Sequence, residues 1–133
     1  MALKGSANVS NGQPSKQQTI VYSYGGSKLA SDLNSITQVM VEQTQKELQK
    51  AAHPTDSTPS KTITLKVSSL VSKYAGWHWN SNIVFQATLG NGQVLEFTVP
   101  HTSGILLQDL NGCIAEGVMT LLNDSRLKAY LET

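Results

Sequence analysis

Trp77-His78-Trp79-Asn80 is where this chain gathers its most unusual side chains. Two tryptophans that flank one residue of a strand share a face, and His78 takes the opposite one. Such a pair can cover an end of the core. It can also stand exposed as an anchor for a partner, a sugar or a headgroup region, because tryptophan joins a large apolar body to a polar N–H. Tyr22, Tyr24 and Tyr74 can join the same surface. Trp77, Trp79 and Tyr74 are therefore the candidate partner-binding residues.

The other reactive residue types form no comparable group. His53, His78 and His101 fall at a helix end, a strand start and just after a strand, with no HExxH, no His-x-His pair and no carboxylate cluster beside them. His53 suits the negative end of a helix dipole. Cys113 has no base at a fixed spacing and precedes the stripe residue Ile114, so it reads as a small, partly buried core hydrophobe. One thiol supplies neither an internal disulfide nor a metal site with paired cysteines. Gly25-Gly26-Ser27-Lys28 places glycines and a lysine ahead of an expected helix, where a bare N-terminus attracts anions. The GxxxxGK[ST] spacing of a phosphate loop is missing, so the segment reads as a helix cap. The expectation is a chain with no catalytic residues, no cofactor and no metal.

Charge narrows the partners. The net charge is +1, the lysines are scattered, and Arg126 is the only arginine. Nucleic-acid binders draw on arginine for phosphates and base edges, and on a strong basic field. No nucleic-acid partner is expected, and no net field recruits an anionic membrane. Charged residues make up 14% of the chain, so Ser, Thr, Asn and Gln must cover its polar faces, as in many secreted and periplasmic bacterial proteins. No stretch approaches the roughly 18 apolar residues of a membrane span.

The elements that position the aromatic residues follow from periodicity. Residues 1–18 have few large apolar side chains and no period, and read as a flexible N-terminal tail or tether. Residues 19–133 form a single α+β domain. Thr19 to Tyr24 is β-branched and aromatic, a first strand ended by Gly25-Gly26. Ser27 to about His53 is a helix whose stripe runs through Leu29, Leu33, Ile36, Met40, Leu48 and Ala51, with Thr44 its weak point. Pro54 stops it. From Thr62 to Tyr74 a strand begins with Ile63, Leu65 and Val67 on one face and Thr62, Thr64, Lys66 and Ser68 on the other.

His78 to Val99 is a hairpin whose register is legible. A two-residue Asn91-Gly92 turn mixes polar and apolar residues on both faces. A three-residue loop, Gly90-Asn91-Gly92, pairs Ala87 with Leu95, Phe85 with Phe97 and Ile83 with Val99 on one apolar face. Gly92 is then left-handed, and Pro100 ends the second strand. A final helical region spans about Ile105 to Leu131, with a stripe of Leu107, Leu110, Ile114, Val118 and Leu121 and a break at Asn123-Asp124. Gly112 and Gly117 within it imply close approach to the sheet. The order is β-α-β-β-β-α: an antiparallel sheet with two helices packed on one face and a polar face toward water.

A helix such as Leu29 to Ala52, a strand like Ile63 to Leu70, a hairpin with a Gly-Asn-Gly tip and a closing helix ending in Asn123-Asp124-Ser125-Arg126-Leu127 together resemble the YajG-like family of small bacterial outer-membrane lipoproteins. The resemblance covers about residues 28–132 and lies in element order, hairpin tip and closing helix. It implies a mature protein with lipid on an N-terminal cysteine. This chain has no such cysteine and no lipobox, so that residue would precede it and residues 2–18 would be the tether. The family carries no agreed activity, so the resemblance supplies no catalytic residues. It implies a bacterial cell-envelope location, facing the periplasm from the outer membrane, membrane contact only through the anchor, and another envelope protein as partner. The expected role is accessory or scaffolding and non-catalytic. The alternative is a soluble protein-binding module, such as an immunity protein or a secretion adaptor, that grips its partner through the Trp77/Trp79 end or a strand edge.

Overall fold

The computed structural model describes residues 7–16, 18–24, 27–51, 61–74, 76–104 and 106–132; of these, 18–24, 27–30, 51 and 106–109 are described by backbone alone. The strands are β1 (Ala7–Asn11), β2 (Gln18–Tyr24), β3 (Ser27–Asp32), β4 (Lys61–Tyr74), β5 (Trp79–Leu89) and β6 (Val94–Ser103). The helices are α1 (Leu33–Ala51), α2 (Leu106–Leu122) and α3 (Ser125–Leu131). A four-stranded sheet runs in the order β1-β4-β5-β6, antiparallel except that β1 lies parallel to β4. The fold class is α+β, as the periodicity implies.

The inner face of the sheet follows the sequence alternation. Ile63, Leu65 and Val67 of β4 are fully buried, as are Ile83, Phe85 and Ala87 of β5 and Leu95 of β6. The β5–β6 register pairs Ala87 with Leu95, Phe85 with Phe97 and Ile83 with Val99. Gly92 has a φ of +91°, the left-handed conformation that a three-residue loop demands. A bulge between Val67 and Ser69 shifts the alternation by one, so that Leu70 and Ser72 turn inward beyond it. The outer face carries Thr62, Lys66, Thr88 and Glu96, all exposed.

Ile36, Met40 and Leu48 of α1 and Leu110, Ile114, Val118 and Leu121 of α2 fill the space over this sheet. Thr44, the weak point of the α1 stripe, is buried with its hydroxyl donating to the Met40 carbonyl at 2.7 Å. Gly117 lets α2 approach the sheet. A Cβ there would lie 2.7 Å from Met40 Cε and 3.2 Å from Phe85 Cε1. Gly112 faces the His101 ring in the same way. The break at Asn123-Asp124 separates α2 from α3, with Asp124 as N-cap.

Four expectations are corrected. Residues 1–18 are not a tail throughout, because Ala7–Asn11 join the sheet and Gln13 is buried. Hydrogen bonds, together with Ala7 in the core and Val9 packed against it, order this segment. The Gln45 side chain accepts from Val9 N–H at 2.8 Å and donates to the Ala7 carbonyl at 2.9 Å. Gln13 donates to the Val67 carbonyl at 2.8 Å, and Gly12 N–H to the Leu65 carbonyl at 2.8 Å. With only Ala7 and Val9 toward the core, so short and polar an edge strand has too little hydrophobic period to read.

Second, α1 starts at Leu33 rather than Ser27. Ser27–Asp32 pair with β2 as a separate two-stranded sheet, so the first strand is not part of the main one. Asp32 caps the helix, accepting from Ser35 N–H at 2.7 Å and from its hydroxyl at 2.9 Å. These bonds hold the Asp32 carboxyl below its usual range, the backbone N–H of Ser35 contributing most. Third, the sheet is not wholly antiparallel. Fourth, β6 runs through Pro100 to Ser103. The Leu89 N–H bond to the Gln93 carbonyl sets the phase of the β5–β6 ladder, and in that phase residue 100 turns its nitrogen away from β5. On an edge strand a proline there costs no ladder bond.

Candidate functional site

Strands β4 and β5 end in a register that sets Tyr74 opposite Trp79, with Trp79 in turn opposite Ser103 of β6. The Tyr74 and Trp79 rings lie 4.8 Å apart at 48°. Trp79 is half-buried. Between the strands the chain passes through Gly76, whose φ of +92° suits glycine. Nothing crowds a Cβ at that position, so backbone conformation alone selects the residue. The Tyr74 hydroxyl donates to the Gly76 carbonyl and ties the turn to the strand end.

Trp77 sits on this turn and is 82% exposed. Its ring lies 5.8 Å from that of His78 at 53°. The structure thus brings Tyr74, Trp77 and Trp79 to one end of the sheet but divides them. Tyr74 and Trp79 form a supporting pair, and Trp77 projects. Strand alternation does not govern Trp77, because β5 begins two residues later, and Trp77 does not cover the core. Tyr22 and Tyr24 lie on β2, but their side chains fall outside the described residues.

The remaining sequence candidates are dispersed. His78 is at the turn, and His101 is on β6 with its ring against Gly112. His53, Gly25 and Gly26 lie outside the described residues. Ser27 and Lys28 belong to β3 and do not precede a helix, so the cap reading of that segment is replaced by Asp32. Cys113 is buried, its thiol 3.4 Å from the Val99 carbonyl. Among the described residues no three His, Cys, Asp or Glu side chains gather as a metal ion needs. No described helix is long and apolar enough to cross a membrane.

Sequence reasoning missed a second surface. An open cleft of about 470 Å³ lies between the β5–β6 tip and α3, lined by Asn91, Gln93, Arg126, Ala129 and Tyr130. Its one cation is already engaged: Arg126 donates twice to Asp124, Nε to Oδ1 at 3.0 Å and Nη2 to Oδ2 at 2.8 Å. The pair lowers the Asp124 pKa, the Arg126 side chain contributing most, and raises that of Arg126. Arg126 also lies 5.9 Å above the Phe97 ring, so its charge serves the fold. The i, i+2 spacing of Asp124 and Arg126 at a helix start was the available signal.

Fold and surface together define a small α+β domain that presents one aromatic turn. In comparison with known proteins, the chain matches no family model and no curated protein.

Proposed function

We propose that this chain is a non-catalytic accessory or scaffolding domain of the bacterial cell envelope that acts through contact at the Trp77 turn. The observation that carries the reading is the 82% exposure of Trp77 on a turn held by Gly76 and Tyr74. Large aromatic side chains are the usual energetic centres of contact surfaces, and leaving one in water serves no folding purpose. The low charge content and the resemblance to YajG-like lipoproteins support the envelope location, with the domain facing the periplasm from the outer membrane and another envelope protein as partner. An N-terminal lipid anchor would join the domain beside β1.

The intact mass of the native protein from membrane and soluble fractions tests the location. A membrane species heavier by a diacylglyceryl and an acyl group is expected. An unmodified protein in the soluble fraction would favour the second reading, a soluble protein-binding module such as an immunity protein or secretion adaptor, which the same exposed turn supports. If changing Trp77 and Trp79 together to Ala leaves every contact of the native protein intact, the turn is not the contact surface.

A further inference from the structure

The four-stranded sheet has two edges, and they are finished differently. At β1 the Gln45 side chain caps the backbone: it accepts from Val9 N–H at 2.8 Å and donates to the Ala7 carbonyl at 2.9 Å. At β6 no strand and no side chain does this among the described residues. The bond from Leu89 N–H to the Gln93 carbonyl sets the phase of the β5–β6 ladder, so Leu95, Phe97 and Val99 turn their N–H and C=O groups toward β5. Val94, Glu96 and Thr98 turn theirs outward, and Pro100 ends this run of donors. An uncovered row of this kind is a template for another strand.

Charge selects the strand. From Tyr74 to Ser125 the sequence has Glu96, Asp109, Glu116 and Asp124 and neither Lys nor Arg. Glu96 is exposed at the centre of the open row, and its one described partner is the neutral amide of Gln86, at 2.9 Å. Glu116 is exposed on the β6 flank of α2. Gly112, one turn earlier on the same face, meets the His101 ring, and neighbouring Gly117 meets Phe85 and Ile83, the partners of Phe97 and Val99. Arg126 lies over the Phe97 ring, but two hydrogen bonds pair it with Asp124. Lys66 shares the row of Gln86 and Glu96, two strands in from the edge and roughly 10 Å from Glu96 along that row.

We infer that the Val94–Thr98 edge of β6 binds an extended segment of a partner protein, bearing Lys or Arg, as a fifth strand of the sheet. Alternate side chains of that strand meet Glu96 on the outer face and the Glu116 flank of α2 on the other. The same charge turns away a second copy of the chain. A two-fold antiparallel pairing that uses all three outward residues sets Val94 against Thr98 and Glu96 against its own copy, and like charges directly opposite destabilise a strand pair. Val94 pairs with Thr88, whereas Ser103 pairs with Trp79, so this edge is a second surface at the end of the sheet away from Trp77.

The test uses the full chain labelled with nitrogen-15 and a capped seven-residue peptide of alternating Lys and Val. A Glu/Val peptide tests the charge. A Lys/Val peptide methylated on every backbone nitrogen keeps the charge and removes the donors. With the Lys/Val peptide, hydrogen exchange slows at the amides of Val94, Glu96 and Thr98, while Leu95 and Phe97, already bonded to β5, change little. The Glu/Val and the methylated peptides each bind about tenfold more weakly or worse. Glu96→Gln weakens the Lys/Val peptide about twofold to fivefold. Thr98→Pro removes an outward donor without breaking the β5 ladder and weakens it further, and Trp77→Ala leaves it unchanged. If millimolar Lys/Val peptide does not slow the three outward amides, the edge takes no strand and the inference is overturned. Equal binding of the methylated peptide overturns it too, because the contact is then charge alone. A native chain that sediments as a dimer, with the three amides protected in the absence of peptide and the dimer lost in Thr98→Pro, assigns the edge to a second copy and overturns the partner segment.

Discussion

The two ends of the β4–β5 ladder are built in opposite ways. At the Gly90 end the Tyr130 hydroxyl accepts from Thr62 N–H and Gly90 N–H and donates to the Thr62 carbonyl, each at 3.1 Å. Gly90 N–H also reaches the Thr62 carbonyl at 3.0 Å. The helix that supplies Tyr130 is fixed by fully buried Leu127 and Leu131 and by the Asp124 cap. At the Gly76 end a tyrosine hydroxyl and the Tyr74–Trp79 ring pair support a turn whose largest side chain, Trp77, points into water. The same two strands thus end in a clamp and in a probe. A binding turn must leave its apolar surface uncovered, and the stability this forgoes has to be found elsewhere in the fold.

Leu127→Ala is the largest way to break the comparison. Leu127 is fully buried, and truncating such a leucine costs about 2–5 kcal/mol. Equilibrium denaturation of the variant measures it. A loss below about 1 kcal/mol would mean that α3 does not clamp the sheet.

Asp124→Ala comes next, at about 1 kcal/mol for a lost N-cap. This effect depends on pH. The Asp124 carboxyl titrates below its usual range because Arg126 bonds its charged form. A lowered folded-state pKa contributes stability that is complete above the unfolded value, about 3.9, and is lost as pH falls through the folded value. Melting curves of wild type and variant should therefore differ at neutral pH, begin to approach one another below about pH 4 and meet only below the lowered folded-state value. A gap that persists in acid would assign the effect to the cap geometry rather than the charge.

The clamp and the probe were unequally legible in the sequence. The hairpin register was readable because a single alternation of Ile83, Phe85 and Ala87 against Leu95, Phe97 and Val99 excludes a one-residue slip. The same holds for the stripes of α1 and α2 and for the break before α3. Residues 7–16 were not readable, because only Ala7 and Val9 reach the core and the rest of their order comes from polar groups such as Gln13 and Gln45 whose partners lie 54 and 38 residues away. Ser27–Asp32 followed the helical period through Leu29 and Leu33, while pairing with β2 and the Asp32 cap decided the outcome. At the site, composition located the aromatic residues. It did not separate Trp77 from Trp79, because exposure depends on where β5 begins, and two residues of strand boundary decide it.

The smallest expected effect is also the sharpest discriminator between the two ends. Trp77→Ala should change folding stability by no more than about 0.5 kcal/mol, although it removes the largest type of side chain, because that side chain is already 82% exposed. Trp79→Ala should cost more, since it is half-buried and packs against the Tyr74 ring, 4.8 Å away and tilted by 48°. Denaturation of the two variants side by side measures the difference. Equal losses would mean that Trp77 folds down onto the sheet in solution and that the turn has no free aromatic to offer. A neutral Trp77 variant leaves the residue without a structural role, so that whatever it contributes must be sought in what the turn touches.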